Sequence, residues 1–269
     1  MRFDAIRVLT LFDFSERANL DDFPEKMDQP CSYEQMRDCL HDIARVNRLT
    51  LAYQPTLHWL GLVCEAQPVP RPLRILDVGC GYGDALRRIH HWAAARNLPV
   101  ELTGIDLNPD AIRAAREATP ATTGITFLAG NVYDWHPPEG VDIVLSSLLT
   151  HHLRDAEIVD FLAWMEATAR VGWFINDLHR EPMPYRLFRT LVRFTPWHPF
   201  VKHDGPVSIL RSFRPEDWHR LCSAAAIPPQ DYELRSHRPA RLCVSRIRPA
   251  ALVAEPLPAE VYDPVSLEG

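Results

Sequence analysis

The stretch from Arg74 to Ile89, RILDVGCGYGDALRRI, restricts the fold of this 269-residue chain more than any other. Its apolar run, Ile75 to Val78, breaks into glycines at alternate positions, Gly79, Gly81 and Gly83, and helical spacing follows. This is the pattern of a strand that stops at a tight turn and restarts as a helix. Glycines allow backbone N–H groups to come close to a ligand, so the junction suits a nucleotide. By itself the triplet does not say which one.

The alternation continues downstream. The pattern predicts strands over residues 74–78, 100–106, 125–129, 141–146 and 172–176, with helices over 84–95, 109–118 and 155–170 between them. Short apolar strands separated by helices indicate an α/β fold, a parallel sheet with helices on both faces. Asn108 and Pro109 are a helix N-cap and first-turn pair. Upstream, Ser32 and Gln35 have capping-box spacing ahead of Met36, Leu40, Ile43 and Val46, and a second helix is predicted over 57–65. Residues 1–30 read as a poorly defined arm. After Asp177 come a helix over 185–193, an aromatic, proline-rich loop, a helix from Pro215 and strands over 232–236 and 242–247. The expected organisation is an N-terminal arm and helical cap (1–70), a core domain (71–248) with a lid insertion (178–214), and a loose tail (249–269).

Two carboxylates narrow the ligand. Asp77 precedes the glycine turn by two residues, where a pyrophosphate would be repelled and a cationic group welcomed. The second strand ends in Asp106, about 20 residues beyond the turn, where a carboxylate can accept from both ribose hydroxyls. A cofactor with a ribose and a positively charged amino-acid end fits both features.

The segments LDVGCGYGD, GIDLNPDAI, LAGNVYDW and VDIVLSSLLTHHL resemble the class I S-adenosylmethionine-dependent methyltransferases, in the order of that family and across about 80 consecutive residues. The resemblance implies a Rossmann-like seven-stranded, mostly parallel sheet whose last strand is antiparallel, and S-adenosylmethionine as cofactor. Asp77, Gly79, Cys80, Gly81 and Gly83 would cradle its methionine part. Asp106 would bind the ribose, Leu107 would lie on the adenine, and Asn131 and Val132 would stand beside it. Many members have Asp at the position of Asn131, whose amide oxygen still accepts. Ser146 and Ser147, with Leu148, would line the cofactor. NRLT before the core and NDLHR, HDGP and SFRPEDW after it look like a bacterial subgroup associated with secondary metabolism, whose acceptors are polyketide-like, phenolic or lipid-like.

Methyl transfer is an in-line displacement that needs alignment and exclusion of water. A hydroxyl acceptor also needs a base. The candidates are His151 and His152 after the fourth strand, His179 after the fifth, and His203; pocket wall, packing and an ordinary turn are their structural alternatives. Asp177, Arg180, Tyr185, Phe188, Trp197 and Asp204 are expected to form the acceptor pocket, since so aromatic a segment must bury somewhere. The reading is O-methylation of a small phenol or enol. C-methylation of a quinone-like ring, a nicotinamide-dependent oxidoreductase and a catalytically silent scaffold are the alternatives.

A net charge of −6 supplies no basic face for nucleic acid. The six cysteines have no metal-ligand spacing and are expected to be reduced thiols. No metal is expected. No signal-like or membrane-length apolar run stands out, so a cytoplasmic monomer or homodimer acting on a small molecule is expected.

Overall fold

The computed structural model describes residues 13–66, 68–70 and 72–249. The first twelve residues of the expected arm, and all of the expected tail but Pro249, lie outside them. Two helices, α1 (Tyr33–Leu49) and α2 (Gln54–Ala66), precede the sheet. The core runs β1 (Leu73–Val78), α3 (Asp84–Ala94), β2 (Val100–Asp106), α4 (Pro109–Glu117), β3 (Thr126–Ala129), β4 (Val141–Ser147), α5 (Asp155–Thr168) and β5 (Ala169–Leu178). Helices α6 (Pro182–Leu191), α7 (Pro199–Arg211) and α8 (Pro215–Ala224) follow, then β6 (Glu233–His237) and β7 (Arg241–Ile247).

The seven strands are ordered β3-β2-β1-β4-β5-β7-β6. β7 pairs antiparallel with both β5 and β6, and the other pairings are parallel. Strand order reverses between β1 and β4, so a crevice opens at their carboxyl ends, where open α/β sheets bind ligands. Successive strand residues face opposite sides. Ile75, Ile143 and Phe174 pack on α2, α3 and α4, while Leu76, Val144 and Trp173 pack on α5 and α8.

Local chemistry sets the helix starts. Ser32 Oγ accepts from Gln35 N and Gln35 Oε1 accepts from Ser32 N, the reciprocal box expected from the sequence. Asn108 Oδ1 accepts from Asp110 N and Ala111 N, with Pro109 in the first helical position. Among the described residues no helix is long and apolar enough to cross a membrane. All six cysteines are free.

One element departs from the sequence reading. The proline-rich loop is in part a helix, α7, which contains Pro206. Proline removes a backbone donor and crowds the carbonyl four residues back. Burial of Val201, Val207, Ile209 and Leu210 offsets that. Gly205 is required because a Cβ there would lie 2.2 Å from the Phe188 ring of α6. The described part of the arm is ordered too. Lys26 N and Met27 N donate to the two carboxylate oxygens of Asp204 in α7, at 2.9 and 3.1 Å.

Candidate active site

A cavity of about 670 Å³ opens at the carboxyl ends of β1, β2 and β4. Gly79, Cys80, Gly81, Asp106, Leu107, Ser147 and Leu148 form its floor, and α1, the arm, α6 and α7 wall it in. A smaller chamber of about 40 Å³ shares Gly79, Cys80, Asp84, Leu148 and Arg241 with it and adds Asp77, Tyr53 and Asn176.

On the floor, Asp106 Oδ2 accepts from Gly81 N and Oδ1 from Asn108 N, both at 2.9 Å. Each oxygen keeps a further lone pair for a diol. Burial raises the pKa of Asp106, and the two N–H donors oppose that. Gly81 has φ +49°, and a Cβ there would meet only Leu40, at 3.6 Å. Its N–H holds Asp106, and its open face is free to border a ligand. Leu148 also has positive φ, +58°, unusual for a non-glycine residue, and its N–H is held by the Asn176 carbonyl at 3.1 Å.

The small chamber is charge-hungry. Asp77 is buried, and desolvation, reinforced by Asp84 and Asp106, pushes its carboxyl up to about 8. Asn176 donates to Ala52 O and Thr56 Oγ1, yet its buried Oδ1 has no partner. An acidic group without a cation and an orphaned acceptor suit an ammonium group. Arg241, 5 % exposed, donates to Asn47 Oδ1 at 3.2 Å. Among the described residues its guanidinium has no carboxylate within ion-pair distance, so it is placed to receive one.

The opposite end of the cavity holds Glu25, Asp28, His151 and His152. Asp177, fully buried beneath, accepts from His151 Nδ1 at 2.7 Å, Leu178 N at 2.7 Å, His151 N at 3.1 Å and Thr150 Oγ1. Burial alone would raise the Asp177 carboxyl; His151 and these donors outweigh it and hold it far below the usual range. Between the two ends the wall is apolar: Met36, Leu40, Ile43, Leu149, Phe188 and Ile209.

The residues expected at the site divide. Asp77, Gly79, Cys80, Gly81, Asp106, Leu107, Ser147, His151, His152, Phe188 and Asp204 line the two cavities. The others do not. Gly83 turns the chain into α3, and a Cβ there would strike the Phe127 ring at 2.6 Å. Asn131 Oδ1 accepts from Tyr133 N, Val132 is in the core, and Ser146 Oγ ties β4 to the Val78 carbonyl. Asp177 acts from beneath. His179 lies outside the cavity with Nδ1 3.2 Å from Glu181, and burial lowers its basicity. His203 binds Asp204 on the outer side. Arg180 is buried as a strut, bonding Asp217 and the carbonyls of Phe14, Ser15 and Ser212. Tyr185 belongs to a separate apolar cluster, and Trp197 stacks behind Phe188.

Sequence reasoning missed Glu25, Asp28, Asn176, Arg211 and Arg241. A polar residue ending an apolar strand, as in GWFIN, was a usable signal for Asn176. Nothing periodic in FPEKMD marks Glu25 or Asp28.

Comparison with known proteins agrees with this geometry. A family model described as a methyltransferase domain matches residues 75–172. Trans-aconitate 2-methyltransferase of Escherichia fergusonii is 33% identical over 133 residues, covering 40% of this chain and 50% of the relative. The Streptomyces avermitilis protein of the same name is 29% identical, covering 54% and 56%. The chain thus spans about half the length of these curated relatives. Among solved structures, human N-acetylserotonin methyltransferase in complex with SAM aligns with a TM-score of 0.58 at 14% identity, covering 81% of this chain and 56% of that one. A plantazolicin methyltransferase in complex with SAH aligns at 0.54 and 13% identity, covering 80% and 96%. The matched stretch, the 3-2-1-4-5-7-6 sheet and the acidic glycine turn together mark residues 75–172 as a methyltransferase domain, set in the fold of the class I S-adenosylmethionine-dependent enzymes.

Proposed function

We propose that this protein transfers a methyl group from S-adenosylmethionine to an oxygen of a small, mainly apolar acceptor. The observation that carries the reading is one continuous cavity, from the glycine turn and Asp106 to the polar group Glu25, His151 and His152, with apolar walls between. A volume of about 670 Å³ is within the ordinary range for small-molecule sites.

Bound S-adenosylmethionine supplies an electrophilic methyl on a sulfonium. The chain's residues do the rest. Asp106 accepts from the ribose hydroxyls. Asp77 and Asn176 Oδ1 take the amino group, and Arg241 takes the carboxylate, which fixes the methionine end and so the direction of the methyl. The arm, α6 and α7 exclude water and hold the acceptor in line. Its hydroxyl faces Glu25, His151 and His152, the polar groups at that end that can receive or hold its proton.

The relatives named for trans-aconitate raise a polyanionic acceptor as a second possibility. The lining charges disfavour it. Glu25, Asp28 and Asp204 face the acceptor region, and Arg241 is the sole Arg or Lys among the described lining residues. It stands at the cofactor end. An apolar phenol or enol of the kind found in secondary metabolism fits such walls better than a tricarboxylate does.

The test is calorimetric titration with S-adenosylmethionine, S-adenosylhomocysteine and NADH, followed by methyl-transfer assays on a panel of phenols and enols with trans-aconitate alongside. Micromolar binding of the adenosyl compounds and transfer to a phenol are expected. Turnover of trans-aconitate with no phenol accepted would overturn the acceptor assignment, and binding of NADH alone would overturn the reaction.

A further inference from the structure

The acceptor end of the cavity contains an arrangement that proton transfer alone does not require. Thr150–His152 form a short 3-10 turn directly after β4, which sets the two imidazoles side by side, ring centroids 4.3 Å apart and tilted by 36°. Each ring uses its Nδ1 on a carboxylate: His151 on Asp177 at 2.7 Å, His152 on Asp28 at 3.0 Å. An ionised carboxylate only accepts, so each Nδ1 carries a hydrogen, and in the neutral ring each Nε2 presents a lone pair. Both Nε2 atoms aim at one carboxylate. His151 Nε2 is 3.8 Å from Glu25 Oε1, and His152 Nε2 is 3.8 Å from Glu25 Oε2.

Lone pairs converging on a carboxylate repel unless something positive stands between them, either a proton on an imidazole, which Glu25 and Asp28 favour at His152, or a metal ion that displaces it. A hydrogen bond does not fill the gap, since 3.8 Å is well beyond its range. A cation does. Metal–nitrogen and metal–oxygen bonds of about 2.1 Å span a 3.8 Å separation at an angle of ~130°, and closure by a few tenths of an ångström reaches the tetrahedral spacing of ~3.4 Å. The ligand atoms of the three residues all lie within 4.8 Å of one another. A carboxylate on the far nitrogen of each imidazole is the usual support of a metal-binding histidine.

The local charge agrees. Glu25, Asp28 and Asp177 are three carboxylates. Among the described residues the Arg or Lys in contact with Glu25 and Asp28 is Arg211, whose Nη1 is 3.3 Å from Glu25 Oε1 and 3.2 Å from Asp28 Oδ2. Its Nε donates to the His151 carbonyl at 3.2 Å. With both imidazoles neutral, the group retains two negative charges, the complement of a divalent ion. Arg211 and Ser208, which donates to Glu25 Oε1 at 3.0 Å, hold the carboxylate in place from behind.

We propose that Glu25, His151 and His152 bind a divalent first-row transition ion at the acceptor end of the cavity. Two imidazoles and one carboxylate leave coordination positions open, and these face the cavity. There the ion holds the acceptor's oxygen and lowers its hydroxyl pKa, so that the hydroxyl proton is lost to water; the three ligands, occupied by the ion, then hold the metal in place of receiving the proton themselves. That role rests on the methyl-transfer reading; the binding of the ion does not.

The test uses the full-length protein, stripped with a chelator, dialysed and titrated separately with Zn²⁺ and Co²⁺. One equivalent should bind, with a visible Co²⁺ absorption band. In His152→Gln, whose side chain is at the cavity surface, the Zn²⁺ dissociation constant should rise by at least about tenfold, with S-adenosylhomocysteine affinity and the melting curve of the metal-free protein unchanged. Glu25→Gln should behave alike toward Zn²⁺. No bound equivalent in the wild type, or unchanged affinity in His152→Gln and Glu25→Gln, overturns the proposal. A wild type that binds S-adenosylhomocysteine but takes up no Zn²⁺ would remove the ion and leave the methyltransferase; one that takes up Zn²⁺ but binds no adenosyl compound would do the reverse.

Discussion

Asp77 gives the sharpest prediction. Its carboxyl is buried beside Asp84 and Asp106, and desolvation first, then those charges, push its pKa up to about 8 from an ordinary 3.8. In the cofactor-free protein it therefore keeps its proton at pH 6–7, while in the unfolded chain it is ionised. The folded state binds the extra proton, so stability falls as pH rises through this window. The contribution is intact below about pH 4, declines at up to ~1.4 kcal/mol per pH unit, and is fully lost above about pH 8. Between pH 5.5 and 7.5 the loss is about 3 kcal/mol, a large share of the 5–15 kcal/mol typical of a folded domain.

Asn has nearly the shape of a protonated carboxyl and does not titrate. Urea unfolding of wild type and Asp77→Asn across pH 5.5–7.5 should give curves that diverge by about 3 kcal/mol, the variant becoming relatively more stable at the alkaline end. Taking the difference cancels the other titrating groups. The ammonium of the cofactor reverses the preference, because it favours the ionised carboxylate. Binding of S-adenosylhomocysteine at pH 6.5 should then release a proton, read as a dependence of the binding heat on the ionisation enthalpy of the buffer, and Asp77→Asn should abolish the release. Parallel unfolding curves for the two proteins would refute the reasoning.

The other predictions concern the rest of the cradle. Asp106→Ala should weaken S-adenosylhomocysteine by more than about tenfold in calorimetry, since a carboxylate accepting from hydroxyls is worth ~1.5–3 kcal/mol. Arg241→Met should weaken S-adenosylhomocysteine by a similar factor and leave 5′-methylthioadenosine, which has no amino-acid end, unchanged; equal losses for both ligands would exclude an anchor for the carboxylate. Gly81→Ala and Gly83→Ala should separate binding from folding. Both positions have positive φ, but a Cβ at 81 has room and one at 83 meets Phe127 at 2.6 Å. Gly83→Ala should cost about 2–4 kcal/mol in urea unfolding; Gly81→Ala should cost ~1–2 kcal/mol and fall mainly on cofactor affinity.

What the sequence made legible follows from where the information resides. The strand–glycine–helix junction, the caps at Ser32 and Asn108 and the strand-ending Asp106 are set by neighbours a few residues away, so spacing alone reveals them. Helix α7 is a different case. HDGP carries two helix-opposing residues in succession, and local propensity reads it as a turn. It is helical because Phe188 needs the missing side chain of Gly205, and because Asp204 must offer its carboxylate to the backbone of Lys26 and Met27, 178 and 177 residues away. The same contact brings the arm over the cavity and carries Glu25 to His151 and His152. The acceptor end is thus assembled from pieces distant in sequence, the arm, the turn after β4 and α7, whose local patterns name no common purpose. In the cofactor cradle the glycine turn and Asp106 come from β1, β2 and the loops that leave them, which is why they could be read from the sequence; Asn176 and Arg241, brought in by β5 and β7, required the fold, as did the acceptor end.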